Sequence, residues 1–245
     1  MAAMLVLTDV AIRRGARTLL SALHCPIRAG EITVILGPNG AGKSSLLLAL
    51  AGLIPATGQI ELGGRALHAF DRRELSRRIA WQGELPPTEF GLTVHQRLQL
   101  AADDTGDEIA TVAADLDIHS LLGRPLGELS SGERQRVELA ALGLRDAPLW
   151  MLDEPTAHLD LKHQIHCIQM LKSQAANGRA IIAVLHDIQQ AMAVADHLIL
   201  IDGKGGVEYG EAAVLFNSVR LSQLFDAPVV QYGAVLIPDY NPDYS

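Results

Sequence analysis

The chain predicts an α/β protein: a mostly parallel core sheet, an antiparallel β subdomain at the N-terminus, and a small helical subdomain inserted at about residues 83–128. Three observations carry this. The runs "EITVILG" (31–37), "PLWMLDEP" (148–155) and "RAIIAVLHD" (179–187) are continuously apolar, as expected of strands buried on both faces. Helical patterns separate them, the spacing of crossover connections in a parallel sheet. Between Gly83 and Glu128 helical periodicity takes over, broken by loop signals at Pro86–Pro87 and Thr105–Gly106.

Taken in order, residues 4–28 alternate in short apolar runs and predict two strands joined at Gly15. "EITVILG" predicts a buried strand that runs into a glycine-rich loop. "KSSLLLALAGL" predicts a helix ended by Gly52, and "GQIELGGRAL" (58–67) a strand with a turn at Gly63–Gly64. "RRIAWQ" (77–82) predicts a short strand. Beyond the helical insertion, "ERQRVELAALGL" predicts a helix, and "HLILIDGKGGVEYG" (197–210) a hairpin. About one hairpin and one helix are expected after His186, and the tail "NPDYS" is expected to be loosely ordered.

Composition narrows the function. With 49% hydrophobic and 4% aromatic residues, the core must be built mainly from Leu, Ala, Ile and Val. A net charge of −8 weighs against a nucleic-acid surface, which normally carries a basic patch. Cys25 and Cys167 fit no metal spacing and predict two buried free thiols in a reducing compartment. The start turns polar at Thr8 and Asp9, too early for a signal peptide. The greasiest segment, "LLLALAGLI" (46–54), is far short of the roughly 20 residues that span a bilayer. If the protein works at a membrane, another chain spans it.

Two motifs carry chemistry on their own residues. "GPNGAGKS", Gly37 to Ser44, matches G-x-x-x-x-G-K-[ST] between a predicted strand and a predicted helix. A chance match is expected in on the order of one chain in a hundred of this length, and the strand–loop–helix setting makes chance rarer still. Its glycines let backbone N–H groups face phosphates, and the helix N-terminus adds partial positive charge. The candidate binding residues are Gly37, Pro38, Asn39, Gly40, Ala41, Gly42, Lys43, Ser44 and Ser45. Lys43 supplies a point charge to the β/γ-phosphates and Ser44 a hydroxyl for Mg²⁺. "WMLDEP" ends an apolar strand in Asp153 and Glu154, where an open parallel sheet places its ligand crevice. Asp153 suits Mg²⁺ binding, and Glu154 is the candidate base toward an attacking water. Alone, two acids before a proline could equally be a solvated strand end.

With these in place, the sequence resembles an ATP-binding-cassette (ABC) ATPase over nearly its whole length. The motifs stand in that family's order: Walker A "GPNGAGKS", a Q-loop glutamine at Gln82, the signature "LSSGERQ" (129–135), Walker B "LWMLDE", a D-loop "AHLD" (157–160), and a switch histidine at His186. The spacings fit too, with 87 residues from Lys43 to Ser130, 23 from Ser130 to Asp153 and 32 from Glu154 to His186. The resemblance implies a P-loop ABC core acting on ATP and Mg²⁺. It also implies a head-to-tail pair of copies, each ATP lying between one chain's Walker A and the other's signature (Ser130, Ser131, Gly132, Glu133). Ser130 and Glu133 form a capping-box pattern, which suits a phosphate site at a helix start. By resemblance, Gln82 ligates Mg²⁺ and the attacking water, His186 contacts the γ-phosphate, and Asp160 links the two sites.

Three positions depart from the family pattern. Ser131 stands where a first glycine is usual, Ala157–His158 where Ser-Ala is usual, and Arg14 where an adenine-stacking aromatic is usual. An arginine plane can stack on a base as well. His158 and His163 read as surface or core histidines. The overall look, in "HDIQQAMAVADHLILI" and "LSQLFDAPVVQYGAVLIPD", is most similar to ATPases of importers for ferric siderophores, haem and cobalamin. The short helical region leans toward the cobalamin type. The implied partners are a second copy, polytopic permease subunits and a periplasmic or surface substrate-binding protein, with no nucleic acid. The implied location is peripheral, on the cytoplasmic face of the inner membrane. Other readings are a cassette of an exporter or lipid-transfer system, an iron–sulfur assembly ATPase, and a P-loop enzyme phosphorylating a metabolite. The last leaves Leu129–Gln135 and His186 without a role.

Overall fold

Strands β1 (Ala3–Arg14) and β2 (Arg17–Arg28) pair antiparallel about Gly15, whose φ of +61° suits a residue without a Cβ. The computed structural model describes residues 3–15, 17–83, 85, 91–102 and 106–240, with only the backbone at 106 and 107. The expected loop at Pro86–Pro87, Thr105 and the tail 241–245 lie outside the described residues.

β3 (Ile32–Leu36) leads through the glycine loop into α1 (Lys43–Leu50). β4 (Thr57–Leu62) and β5 (Arg65–Ala66) return to the first hairpin, giving a four-stranded antiparallel sheet ordered β2-β1-β4-β5. α2 (Arg72–Arg78) then precedes β6 (Ile79–Gln82), so the strand expected at 77–82 starts two residues late. The helix is set by Asp71, whose carboxylate caps the Glu74 N–H while Glu74 reaches back to the Asp71 N–H.

α3 (Val94–Gln99), α4 (Gly106–Asp115) and α5 (Ser131–Gly143) follow. The chain then alternates through β7 (Leu149–Asp153), α6 (Leu161–Ala176), β8 (Ala180–Val184), α7 (Ile188–Val194) and β9 (His197–Ile201). It ends with β10 (Val207–Glu211), α8 (Ala212–Leu215), α9 (Ser218–Phe225), β11 (Val229–Tyr232) and β12 (Val235–Pro238). After His186 the sequence predicts about one hairpin and one helix; the described residues form two hairpins and the three helices α7, α8 and α9. Val229 and Leu236 close the β11–β12 hairpin over Leu221, Ile188 and Met192.

The core sheet is ordered β10-β9-β3-β8-β7-β6. Its strands run parallel except the edge strand β10. Side-chain alternation divides the interior in two. Val34, Trp150, Leu152, Ile181 and Leu198 face a core shared with α5, α6 and the inserted helices. Ile35, Met151, Ile182 and Ile199 face the other, shared with α1 and the N-terminal sheet. Among the described residues no helix is long and apolar enough to cross a membrane.

This strand order places the motifs. β3, β8, β7 and β6 are successive neighbours, about 4.8 Å apart. The phosphate loop, His186, the Asp153–Glu154 pair and Gln82 lie at or just beyond their C-terminal ends. Residues from four parts of the sequence thus meet along one edge, at the crevice where the chain reverses its direction of strand addition.

Candidate active site

The phosphate loop is shaped by close approach. A Cβ on Gly37 would stand 2.1 Å from the Ile201 carbonyl oxygen, and one on Gly42 would stand 3.0 Å from Leu19 Cβ. Lys43 is buried and folds back so that Nζ donates to the carbonyls of Gly37 (2.9 Å) and Pro38 (3.0 Å). Burial lowers its pKa below the usual lysine value, and the Glu154 and Asp153 carboxylates partly offset this. No side chain caps the start of α1, so its first N–H groups remain available to an anion.

The loop floors a cleft of about 750 Å³ whose lining includes Asn39, Ser44, Ser45, Glu154 and His186. Arg14 and Arg17 line its mouth. Arg17, which the sequence reading passed over, is anchored through a 2.8 Å bond from Nη2 to the Gly203 carbonyl. With Arg14 at the position where the family usually has an aromatic, two arginines border the cleft.

A second recess of about 290 Å³ continues behind Ser44, bordered by Gly83, Asp153, Glu154, Gln135 and His158. His186 Nε2 lies 2.5 Å from Glu154 Oε1, which ties the candidate base to the switch histidine. Glu154 has a left-handed backbone, φ +54°, uncommon for a residue with a Cβ. Gln135 holds it there. Buried in α5, its Nε2 donates to the carbonyls of Glu154 (3.3 Å) and Pro155 (2.9 Å). In the sequence Gln135 stands out only as the last letter of the signature.

The signature residues stand elsewhere. Ser130 caps α5, with Glu133 N–H donating to its Oγ at 3.3 Å and Glu133 Oε2 accepting from the Ser130 N–H at 2.8 Å. That backbone donor is the chief reason the Glu133 carboxyl sits below its usual pKa. Ser130, Ser131, Gly132, Glu133 and Asp160 border a hollow of about 310 Å³ that includes no phosphate-loop residue. Asp160 caps α6 and accepts the His163 N–H at 2.9 Å. A Cβ on Gly132 would stand 2.8 Å from the His158 carbonyl oxygen, so the second signature glycine is a packing requirement. The structure therefore separates the candidates into two groups. Lys43, Ser44, Gln82, Asp153, Glu154 and His186 gather at the strand ends; Ser130 to Glu133 and Asp160 lie apart from them.

The ABC transporter family profile matches residues 20–157, from β2 through the phosphate loop and signature to the D-loop. The chain belongs to the ABC transporter family. It is an ATP-binding ATPase of that family, whose members work with membrane permeases and pair their cassettes. The hemin import ATP-binding protein HmuV of Streptomyces coelicolor is 35% identical over 247 residues, covering 94% of this chain and 88% of that protein. The protein of the same name from Pseudomonas entomophila is 40% identical over 215 residues, covering 81% and 83%. Among solved structures, a chain of a transporter described as metal-chelate type, in an inward-facing conformation, superposes with a TM-score of 0.80. It shares 23% identity and covers 98% of both chains. An ATP-binding subunit of an ABC transporter gives 0.79 at 23% identity, over 90% and 94%. Both show the same fold.

The residues of this ABC ATPase suit Mg²⁺. Gln82 Nε2 donates to the Gly83 carbonyl at 3.0 Å, while its Oε1 is buried with no hydrogen-bond partner among the described residues. An oxygen so placed is costly unless a ligand satisfies it. Among the described residues no three His, Cys, Asp or Glu side chains gather as a metal cage.

Proposed function

We propose that this ABC ATPase drives import of a metal chelate, with haem the favoured cargo class, as one of two cassettes on the cytoplasmic face of the inner membrane. The observation that carries the reading is the separation of two half-sites on one chain. One holds the phosphate loop, Glu154 and His186; the other is an open, capped helix start with serine hydroxyls and no phosphate loop. A second copy, head to tail, supplies each half with its complement. The relatives compared above are named for hemin import, which favours haem over the cobalamin that the short helical region suggested.

In this reading the loop N–H groups and Lys43 hold the β- and γ-phosphates. Ser44, Asp153 and Gln82 Oε1 would hold Mg²⁺, which when bound neutralises phosphate charge. Glu154 accepts a proton from the water attacking the γ-phosphate. His186, now paired with Glu154, turns to the γ-phosphate and releases the carboxylate for that task. ATP binding closes the two copies, and hydrolysis reopens them.

The permease docks beside α3. There a groove of about 390 Å³ is lined by Leu53, Trp81, Leu100, Arg97 and Arg145. Leu53 and Leu100 are exposed on its rim, an apolar surface of the kind partner chains cover. A periplasmic or surface binding protein delivers the cargo to that permease.

The test uses Glu154→Gln, which is expected to bind ATP, trap the closed pair and lose on the order of a hundredfold or more in kcat. Near-normal turnover would remove Glu154 from the role of base. Tagged Glu154→Gln is then recovered with ATP from detergent-solubilised host membranes, and its companions are identified by mass spectrometry. A polytopic permease with a haem-binding partner supports the importer. A soluble scaffold with no membrane protein overturns transport and leaves the ATPase standing.

A further inference from the structure

We propose that His163 positions the D-loop aspartate Asp160 and, by joining it to Asp117 beyond α4, makes the D-loop follow the inserted helices. This rests on the paired-cassette reading above, in which the D-loop lies between the two copies. His163 stands in the first turn of α6, its side chain 13% exposed. Its Nδ1 lies 2.7 Å from Asp160 Oδ1, the oxygen that also accepts the His163 backbone N–H. Its Nε2, buried and without a hydrogen-bond partner among the described residues, faces Asp117 Oδ2 at 3.5 Å. That same oxygen is paired with Lys162 Nζ.

The turn bearing Asp117 is held from a third side. Arg136, on the signature helix α5, donates from Nη1 to the carbonyls of Leu116 (2.9 Å) and Asp117 (2.7 Å). The charged and titratable groups around the imidazole are Asp160 and Lys162 on its own helix, Asp117 beyond α4, Arg136 and Glu133 on α5, and His158 on the D-loop. One side chain therefore bridges the D-loop and the inserted helices beside the signature.

The bridge has a protonation sense. An imidazolium donates from both nitrogens and meets both carboxylates. A neutral ring protonated on Nδ1 keeps Asp160 but turns a lone pair toward Asp117. Both acids are held below the usual carboxylate range: Asp160 chiefly by the His163 backbone and ring donors, Asp117 chiefly by Lys162. They stay ionised above pH 5, and histidine is the side-chain type that changes charge between pH 5 and 8. With the ring charged the clasp is complete; with the ring neutral and protonated on Nδ1 it loses its Asp117 arm.

Two readouts on the full chain test this. First, the ring nitrogens of His163 are followed by ¹⁵N-resolved NMR. The Nε2 resonance is expected to move in Asp117→Asn and the Nδ1 resonance in Asp160→Asn, because each substitution removes the carboxylate facing that nitrogen. An Nε2 resonance unmoved by Asp117→Asn overturns the bridge, and this arm needs no ATP hydrolysis. Second, steady-state ATPase is compared for wild type and His163→Gln, since glutamine keeps one donor as the neutral ring does. The ATP KM is expected to stay within about twofold. The kcat ratio of wild type to variant is expected near fivefold, the size of one ordinary hydrogen bond. An unchanged kcat, or an effect confined to KM, overturns the positioning role. If wild-type specific activity is independent of protein concentration down to the monomer, the paired-cassette reading falls instead, while the NMR arm still decides the bridge.

Discussion

At the residue scale, Gln135 and Gly37 are two positions whose geometry leaves little freedom. Gln135→Leu keeps the volume but strips the donor from two carbonyls at a backbone of φ +54°. A loss of about 1–3 kcal/mol in unfolding free energy is expected for the unsatisfied groups. A larger loss is expected in kcat, about tenfold or more, with ATP affinity little changed, since Glu154 is aimed by that backbone. Isothermal ATP binding beside turnover checks the split; equal losses in both would make Gln135 merely structural. Gly37→Ala must displace the Ile201 carbonyl from 2.1 Å, so ATP binding is expected to fail together with a lowered Tm, read by nucleotide-dependent thermal shift. Most of the site was legible in the sequence because Lys43, Asp153, Glu154 and His186 sit in local motifs at strand ends. Gln135, Arg17 and His163 were not. The partners of Gln135 and Arg17 are main-chain carbonyls 19 to 186 residues away, and the remote partner of His163 is a lone surface aspartate; no local pattern announces such contacts.

At the scale of elements, three helices among the described residues start with reciprocal caps: α2 with Asp71 and Glu74, α3 with Thr93 and Gln96, α5 with Ser130 and Glu133. In α2 and α5 the reaching residue is a carboxylate whose pKa is lowered, chiefly by the backbone N–H it accepts. Groups depressed in the folded state contribute stability that is full above the ordinary carboxylate pKa of about 4 and is lost as pH falls through the depressed value. Wild type is therefore expected to hold its Tm from pH 7 to about 5 and to lose it below about 4. Glu133→Gln, which installs the uncharged box already present in α3, is expected to sit lower at pH 7 and to converge with wild type in acid. Parallel melting curves across the whole range would count against the cap as a charged contact. β3, β7, β8 and α1 were legible as long apolar runs beside clear punctuation. α2 was missed because "DRRELSRR" offers Leu75 alone as an apolar anchor, too little for a periodicity. β11 and β12 were missed because Tyr232 and Val235 are exposed, which breaks the alternation that marks a strand.

At the scale of the molecule, one sheet separates two cores, and each encloses one cysteine: Cys25 on the N-terminal side, Cys167 on the side of α6. Burial pushes both thiols up to about 12, so neither is a reactive thiolate near neutral pH. Because the two cores share their strands, they are expected to open together. Pulsed alkylation at pH 8 with mass spectrometry should label Cys25 and Cys167 at one common slow rate, and a clear difference would mean the two sides unfold as separate units. The two tryptophans are divided differently. Trp150 is fully enclosed in the core sheet, whereas Trp81, one strand over, borders the groove beside α3. Their emission therefore reports two events in two colours. Trp150 stays blue and constant until the sheet comes apart, and Trp81 shifts whenever something covers or dries the groove. With Trp150→Phe, the protein carries a single built-in lamp at the groove proposed for the permease, and binding there can be timed without attaching a label.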